Sequence, residues 1–319
     1  MKTPQRISLA NIPTPLQSFT FNGCRFLIKR DDFTGLELSG NKVRKLEYLL
    51  YQAKKDKADY VFTCGGDQSN HSRATAVAAK SLGINSKLFL WGKDSLNADG
   101  NLFIDKFIGA EIKYLSKKDY AHNEIIMQQE KELLEKRGKK VFVIPEGGSS
   151  ELGIWGYINF IGELGTQVNL KKVTGILTAC GSGGTSAGLL IGAAMMNLKT
   201  KIFAVNVLYP EKAIREKILN LAYSCIEKYK LKCSFIESQL EVLDGYSEEG
   251  YKHISKSKLE LLKTFASSKG IILDPAYTGK AFCAYEENFI RNKSKSDVLF
   301  IHTGGIFGVF NKRKQYLSV

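Results

Sequence analysis

The chain is expected to fold as an α/β protein of two open, twisted parallel-sheet domains, with helices on both faces and a ligand cleft between them. Three observations lead there. Short apolar runs alternate with longer helix-periodic stretches along most of the 319 residues. Such alternation builds parallel sheets, because each crossover between parallel strands needs a helix-length connection. The alternation falls into two groups, separated by the polar, glycine-containing segment GELGTQVNLKK at 162–172. Finally, each unusual glycine-rich or polar loop follows a strand candidate, the end of an open α/β sheet where ligands bind.

In chain order, CRFLIKRDD within the first fifty residues is a strand able to pair with either unit. The stretch LSGNKVRKLEYLL (38–50) starts a helix after Ser39-Gly40, since Val43, Leu46, Leu49 and Leu50 recur at helical spacing with Lys42 at the front. The first group then offers strands at 60–64, 86–91, 111–115 and 140–144, with helices over 69–82, 97–109 and 120–137. The second offers strands at 173–179, 201–207, 270–273 and 298–303, with helices over 184–197, 211–229, 247–268 and 279–291. Residues 55–164 thus form the smaller domain, and 1–54 with 165–319 the larger one.

Composition narrows the function classes. A hydrophobic content of 44% supports a large core or two smaller ones, and six prolines without a low-complexity run speak against a disordered chain. No stretch reaches the roughly eighteen apolar residues that span a bilayer, and MKTPQRISLANIPTPL lacks the apolar segment of a secretory signal. Six cysteines lie scattered without paired or metal-like spacing, and Cys64 and Cys180 end apolar runs, so a reducing, cytoplasmic setting is expected. Four histidines form no ligand cluster, and no metal is expected. The net charge of +14 comes from lysines intermixed with acids, as in EKELLEKRGKK. That is a solvated lysine-rich face rather than a nucleic-acid surface, with at most weak steering of anions.

Five loops can carry chemistry. Thr178-Ala179-Cys180-Gly181-Ser182-Gly183-Gly184-Thr185-Ser186 follows a strand and opens a helix. Its glycines let successive N–H groups face one anion, and the helix N-terminus adds positive potential. It lacks the G-x-G-x-x-G pattern and an acid at the end of the next strand, so it suits a single phosphate better than a dinucleotide. The plainer alternative is a tightly packed strand–helix turn. Gly65-Gly66-Asp67-Gln68-Ser69-Asn70-His71 is a second such junction, where Gln68, Ser69 and Asn70 either meet a substrate carboxylate or cofactor hydroxyl, or simply cap the helix. Asp274-Pro275-Ala276-Tyr277-Thr278-Gly279-Lys280 and His302-Thr303-Gly304-Gly305 follow later strands, and Gly245-Tyr246-Ser247 precedes a helical segment. Lys42 itself is either surface charge or a reactive amine of a closed site.

A post-glycine lysine, a Gln-Ser-Asn loop and a single-phosphate loop are together what pyridoxal phosphate needs. The chain resembles the D-cysteine desulfhydrase and 1-aminocyclopropane-1-carboxylate deaminase family, of the tryptophan-synthase-β-like fold (fold type II). The resemblance runs through Pro13-Thr14-Pro15-Leu16, Lys29-Arg30-Asp31-Asp32, Ser39-Gly40-Asn41-Lys42-Val43-Arg44-Lys45-Leu46, Gln68-Ser69-Asn70-His71 and His302-Thr303-Gly304-Gly305. It implies that the cleft binds pyridoxal phosphate and that Lys42 is its Schiff-base lysine. By the same resemblance Asn70 meets the ring hydroxyl, and Ser69 lies beside the substrate carboxylate. The segment from Cys180 through Gly181, Ser182, Gly183, Gly184 and Thr185 holds the phosphate. Tyr277 and Tyr246 look like the family's two active-site tyrosines, the second in the weaker context GYSEEG, and Gln68 and Thr303 complete the shell. A homodimer is implied as well.

The deaminase branch has a glutamate after the second tyrosine, near the pyridine nitrogen, where this chain has Thr278. A neutral hydroxyl does not keep that nitrogen protonated as a carboxylate does. The expected reaction is therefore β-elimination on a small amino acid, D-cysteine first, with Lys42 as the first-choice base. Cyclopropane-carboxylate deamination and non-catalytic cofactor binding are the alternatives. Asp67, where the family loop has an apolar residue, leaves the substrate open, and the hand of the substrate depends on sub-ångström placement.

Overall fold

The computed structural model describes residues 3–251, 253–293 and 297–319. Near the N-terminus β1 (Leu16–Phe21) and β2 (Cys24–Arg30) form an antiparallel hairpin with Phe21 opposite Cys24. Its turn is Asn22-Gly23 at φ 48° and 76°, the left-handed pair that matches the twist of a two-residue hairpin. Only the second strand was expected from the sequence, although Asn-Gly is itself a hairpin signal.

After the hairpin come α1 (Asn41–Lys55), β3 (Tyr60–Gly66), α2 (Asn70–Ser81), β4 (Asn85–Trp91), α3 (Gly100–Phe107) and β5 (Glu111–Leu115). They are followed by α4 (Lys117–Tyr120), α5 (Asn123–Glu135), β6 (Val141–Val143) and α6 (Trp155–Gly165). The second half runs β7 (Gly175–Cys180), α7 (Gly184–Met195), β8 (Lys201–Asn206), α8 (Glu211–Tyr229), β9 (Leu240–Leu243) and α9 (Lys256–Lys269). It ends with α10 (Thr278–Tyr285), β10 (Val298–His302), α11 (Ile306–Phe310) and α12 (Arg313–Leu317). The strands form two sheets, one in the order β1-β2-β10-β7-β8-β9 and one in the order β5-β4-β3-β6. Among the described residues every pairing except the β1–β2 hairpin is parallel, as helical crossovers require.

Several sequence expectations give way. Residues 270–273 form no strand, because β10 already pairs with β2 on one side and β7 on the other. The large sheet instead gains β9, from LEVL, which pairs with β8. The helix expected over 247–268 begins only at Lys256, after turns at Gly245 and Gly250 with φ 87° and 84°. Residue 252 of that expectation lies outside the described residues. The helix expected over 279–291 ends at Tyr285 and continues as a π-turn over Glu286–Ile290.

The main core lies where α6, α7 and α8 cover one face of the large sheet, with Trp155, Phe160, Leu189, Leu190, Ile202 and Ile218 among its buried residues. Glycines make the α6–α7 contact possible. A Cβ on Gly188 would lie 2.6 Å from the Ile154 carbonyl oxygen, and one on Gly192 would lie 2.7 Å from that of Ile158. This is why α7 is built of small residues. It also places α6 with the large sheet, so the core does not divide at the expected boundary near 160–170, and α6 departs from the 55–164 unit. The opposite face is aromatic, with Phe21, Phe26, Phe265, Phe282, Tyr285 and Phe300 in contact. Among the described residues no helix is long and apolar enough to cross a membrane.

Candidate active site

A cavity of about 390 Å³ opens between the two sheets, past the carboxyl ends of β3, β7 and β10. Lys42 reaches it from the first turn of α1. Gly40, at φ 93°, allows this placement: a Cβ there would lie 2.7 Å from the Thr303 carbonyl oxygen. The same oxygen accepts the Asn41 backbone N–H at 3.1 Å, so the start of α1 is docked on the end of β10. Burial lowers the Lys42 amine to about 8, against the opposing pull of Cys180, Glu146 and Asp274. A larger share of the amine is therefore neutral and nucleophilic near pH 7 than in an ordinary lysine, as desolvation allows.

Beside it the α7 N-terminus forms a cradle. Gly183 is left-handed, at φ 86°, and a Cβ on Gly184 would lie 2.7 Å from the Lys45 Nζ and closer still to the Ser149 Oγ. The fully buried Lys45 amine donates to the Gly147 carbonyl at 3.1 Å and to Ser149 Oγ at 3.2 Å. Ser149 Oγ also accepts the Gly184 N–H at 3.2 Å and pairs with Ser182 Oγ at 2.8 Å. Asn41 Nδ2 donates to Thr185 Oγ1 at 3.1 Å. Burial and the charge of Lys42 push the Lys45 amine well below its ordinary value. A lysine, a helix N-terminus and three hydroxyls around left-handed Gly183 and around Gly184, where a Cβ would press on Ser149 and Lys45, fit one phosphate dianion. Cys180, Gly181, Ser182, Gly183, Gly184 and Thr185 all line this part of the cavity. Burial raises the Cys180 thiol to about 11, so it stays uncharged.

The loop after β3 supplies the next wall. Ser69 caps α2, its Oγ accepting the Ser72 N–H at 3.1 Å, and a Cβ on Gly65 would lie 2.5 Å from that oxygen. Asn70 Oδ1 accepts from Asn101 Nδ2 at 3.0 Å, which fixes the amide orientation. Both residues face the cavity. Gln68 does not. Its Oε1 accepts the Asn101 N–H and its Nε2 donates to the Asp99 carbonyl, each at 3.0 Å, so it braces the loop against the start of α3 instead of contacting substrate.

Two further expectations are corrected. Tyr246 is buried in the aromatic core, where its hydroxyl bonds Glu287, and it is not part of the cavity wall. Tyr251 takes the place expected for it: Tyr277 Oη donates to Tyr251 Oη at 3.2 Å, with the rings edge to face at 5.7 Å. The chain contains two Gly-Tyr pairs five residues apart, and only the fold shows which tyrosine turns inward. Burial raises both hydroxyls above the ordinary phenol range, so they remain donors. Thr278 lies beneath the wall rather than in it. Its Oγ1 donates to Asp274 Oδ1 at 2.6 Å and accepts the Asp274 N–H at 2.9 Å, which uses the hydroxyl up locally. Thr303 does line the cavity.

Sequence reasoning missed two further residues of the wall. Lys45 lies three residues after Lys42, hence on the same helix face, and that spacing was the available signal. Glu146, in IPEGGSS after β6, lies on the wall between Tyr120 and Tyr209. Its Oε1 accepts from Tyr120 Oη at 2.8 Å and its Oε2 from Tyr209 Oη at 2.7 Å.

A family model described as pyridoxal-phosphate dependent enzyme matches residues 7–304. A putative 1-aminocyclopropane-1-carboxylate deaminase of Thermotoga maritima is 45% identical over 318 residues, 97% of this chain and 99% of that protein. The mitochondrial bifunctional D-cysteine desulfhydrase/1-aminocyclopropane-1-carboxylate deaminase of Arabidopsis thaliana is 40% identical, covering 98% of this chain and 81% of that one. A D-cysteine desulfhydrase of Salmonella choleraesuis is 30% identical over 96% of this chain and 95% of that one. Among solved structures, an ACC deaminase homologue superposes with TM-score 0.91 at 37% identity, over 99% of this chain and 96% of that one.

Proposed function

Because the chain belongs to the pyridoxal-phosphate-dependent enzymes, matched over residues 7–304, we propose that it eliminates the β-thiol of a small amino acid. D-cysteine is the first substrate: with water it gives pyruvate, hydrogen sulfide and ammonia. Bound pyridoxal phosphate supplies the electron sink that stabilises negative charge at Cα. Lys42 would hold the cofactor covalently, Asn70 would meet its ring hydroxyl, and Lys45 with the 181–185 loop would take its phosphate. Ser69, at the positive end of α2, suits the substrate carboxylate. Lys42 Nζ is the base for the Cα proton, since burial leaves it largely neutral above about pH 8. The tyrosine hydroxyls, kept protonated by burial, would give a proton to the departing sulfur.

The observation that carries this reading is the wall around Tyr277. It offers two phenol hydroxyls 3.2 Å apart, and the residue after Tyr277 is Thr278, which lies beneath the wall bonded to Asp274, rather than a glutamate. A thiol is a good leaving group that needs a proton donor, whereas opening a cyclopropane calls for a stronger sink. The names of the relatives span both activities, so the reconstituted holoenzyme should be assayed on both substrates side by side. Sulfide and pyruvate from D-cysteine, exceeding 2-oxobutanoate from 1-aminocyclopropane-1-carboxylate, are expected. Strong 2-oxobutanoate release with negligible sulfide would replace this reading with the deaminase.

A further inference from the structure

We propose that Lys280 is a positioning residue for the proposed elimination: by holding the Gly250 carbonyl it sets the Tyr251 hydroxyl against Tyr277. The inference rests on the reading above for its catalytic consequence, but not for its geometry.

Tyr277 and Tyr251 reach the cleft by different routes. Tyr277 is the N-cap of α10, and its backbone is fixed by Asp274, whose carboxylate accepts the N–H groups of Ala276, Tyr277 and Thr278 at 2.7–3.1 Å. Tyr251 sits on the long connection between β9 and α9, whose described residues form no helix or strand and which turns at Gly245 and Gly250. Such a segment does not hold a side chain to a fraction of an ångström without an anchor.

Lys280 provides one. Its side chain is fully buried, and Nζ donates to the Gly250 carbonyl at 2.7 Å, one residue before Tyr251. It stands three residues after Tyr277, so one short helix sets both phenols. Burying an ammonium is costly, and an apolar residue would fill the same space more cheaply if packing were its only role. The charged groups facing it are Glu249, Lys258 and Asp274. Glu249 is itself bridged by Lys258 at 3.0 Å, so it does not satisfy the Lys280 head alone. Burial lowers the Lys280 amine to about 8, so it remains a cationic donor at neutral pH.

The test uses holoenzyme carrying Lys280→Met, Tyr251→Phe and both together. Amide hydrogen exchange around residues 249–251 should quicken in Lys280→Met while α10 and the visible absorption of the bound cofactor stay unchanged. With D-cysteine, Lys280→Met should lower kcat on the order of 100-fold, the usual cost of a misplaced catalytic group, with KM little altered. Added to Tyr251→Phe it should cost little more, because both changes remove one function. If Lys280→Met does not fold, Lys280→Gln, which keeps an N–H donor on a shorter stem, enters the same cycle. Unchanged exchange at 249–251, or losses that multiply in the double variant, would overturn the proposal. Should D-cysteine not be a substrate, the exchange arm still decides it.

Discussion

Lys42 owes its reactivity to where its amine is kept, not to a neighbour that it bonds. Burial dominates its shift, and the nearby acids only temper it. In the cofactor-free protein the neutral, nucleophilic form should dominate above about pH 8. The rate of reaction with added pyridoxal phosphate should therefore rise about tenfold per pH unit up to that point and then level off. An ordinary lysine would keep gaining rate to roughly pH 10.4, and such continued gain would refute the assignment. The linkage has the opposite sign from a salt-bridged lysine. Because the unfolded amine takes its proton first, this group lowers stability as pH falls from ~10.4 toward the folded value. The sequence showed Lys42, Ser69, Asn70, Tyr277 and Thr303 as cavity candidates, since each sits at an element end marked by glycine or a cap. It misassigned Tyr246 for Tyr251, because both follow a glycine and local context is the same kind in each.

The elements that matter most are the starts of α1 and α7. Each begins directly after a glycine with positive φ; a Cβ on Gly40 would lie 2.7 Å from the Thr303 carbonyl oxygen, and one on Gly183 would lie 3.1 Å from the Ile218 side chain. Gly184→Ala keeps helical propensity but pushes a methyl into Ser149 and Lys45. Losing one charge-assisted hydrogen bond costs about 1.5–3 kcal/mol. The dissociation constant for pyridoxal phosphate, measured by titration, should thus rise at least tenfold while α7 stays folded. An unchanged constant would place the phosphate elsewhere. At this scale the strand–helix rhythm was legible because β3, β4, β7, β8 and β10 are continuous apolar runs. The 270–273 run shares that pattern and still forms no strand, since sheet edges are allotted by competition among segments. The helix expected from 247 fails for a local reason, two turn glycines that the apolar period overrode.

Across the whole molecule, the two sheets meet over the cavity, and the Glu146 carboxylate bridges them there. Glu146, on the connection after β6, receives Tyr120 from α4 beside the small sheet and Tyr209 from the end of β8 in the large one. Glu146→Ala should leave two half-buried phenols without their acceptor and lower stability by about 2–4 kcal/mol, read as a reduced melting temperature of the cofactor-free protein. A change within about 0.5 kcal/mol would show that the clasp contributes nothing. Neither Glu146 nor Lys45 stood out in the sequence as a site residue, because a charged residue after a strand or on a helix is usually solvated. What the sequence by itself determined was the α/β class, the loops at strand ends and the lysine among them, since these depend on periodicity and on residues within a few positions of each other. Folding in three dimensions was needed to choose which tyrosine enters the cleft, to spend the polar atoms of Gln68 and Thr278 elsewhere, and to bring Lys280 to Gly250. Those outcomes depend on contacts between segments far apart in the chain, where burial and hydrogen-bond competition choose among side chains that look locally equivalent.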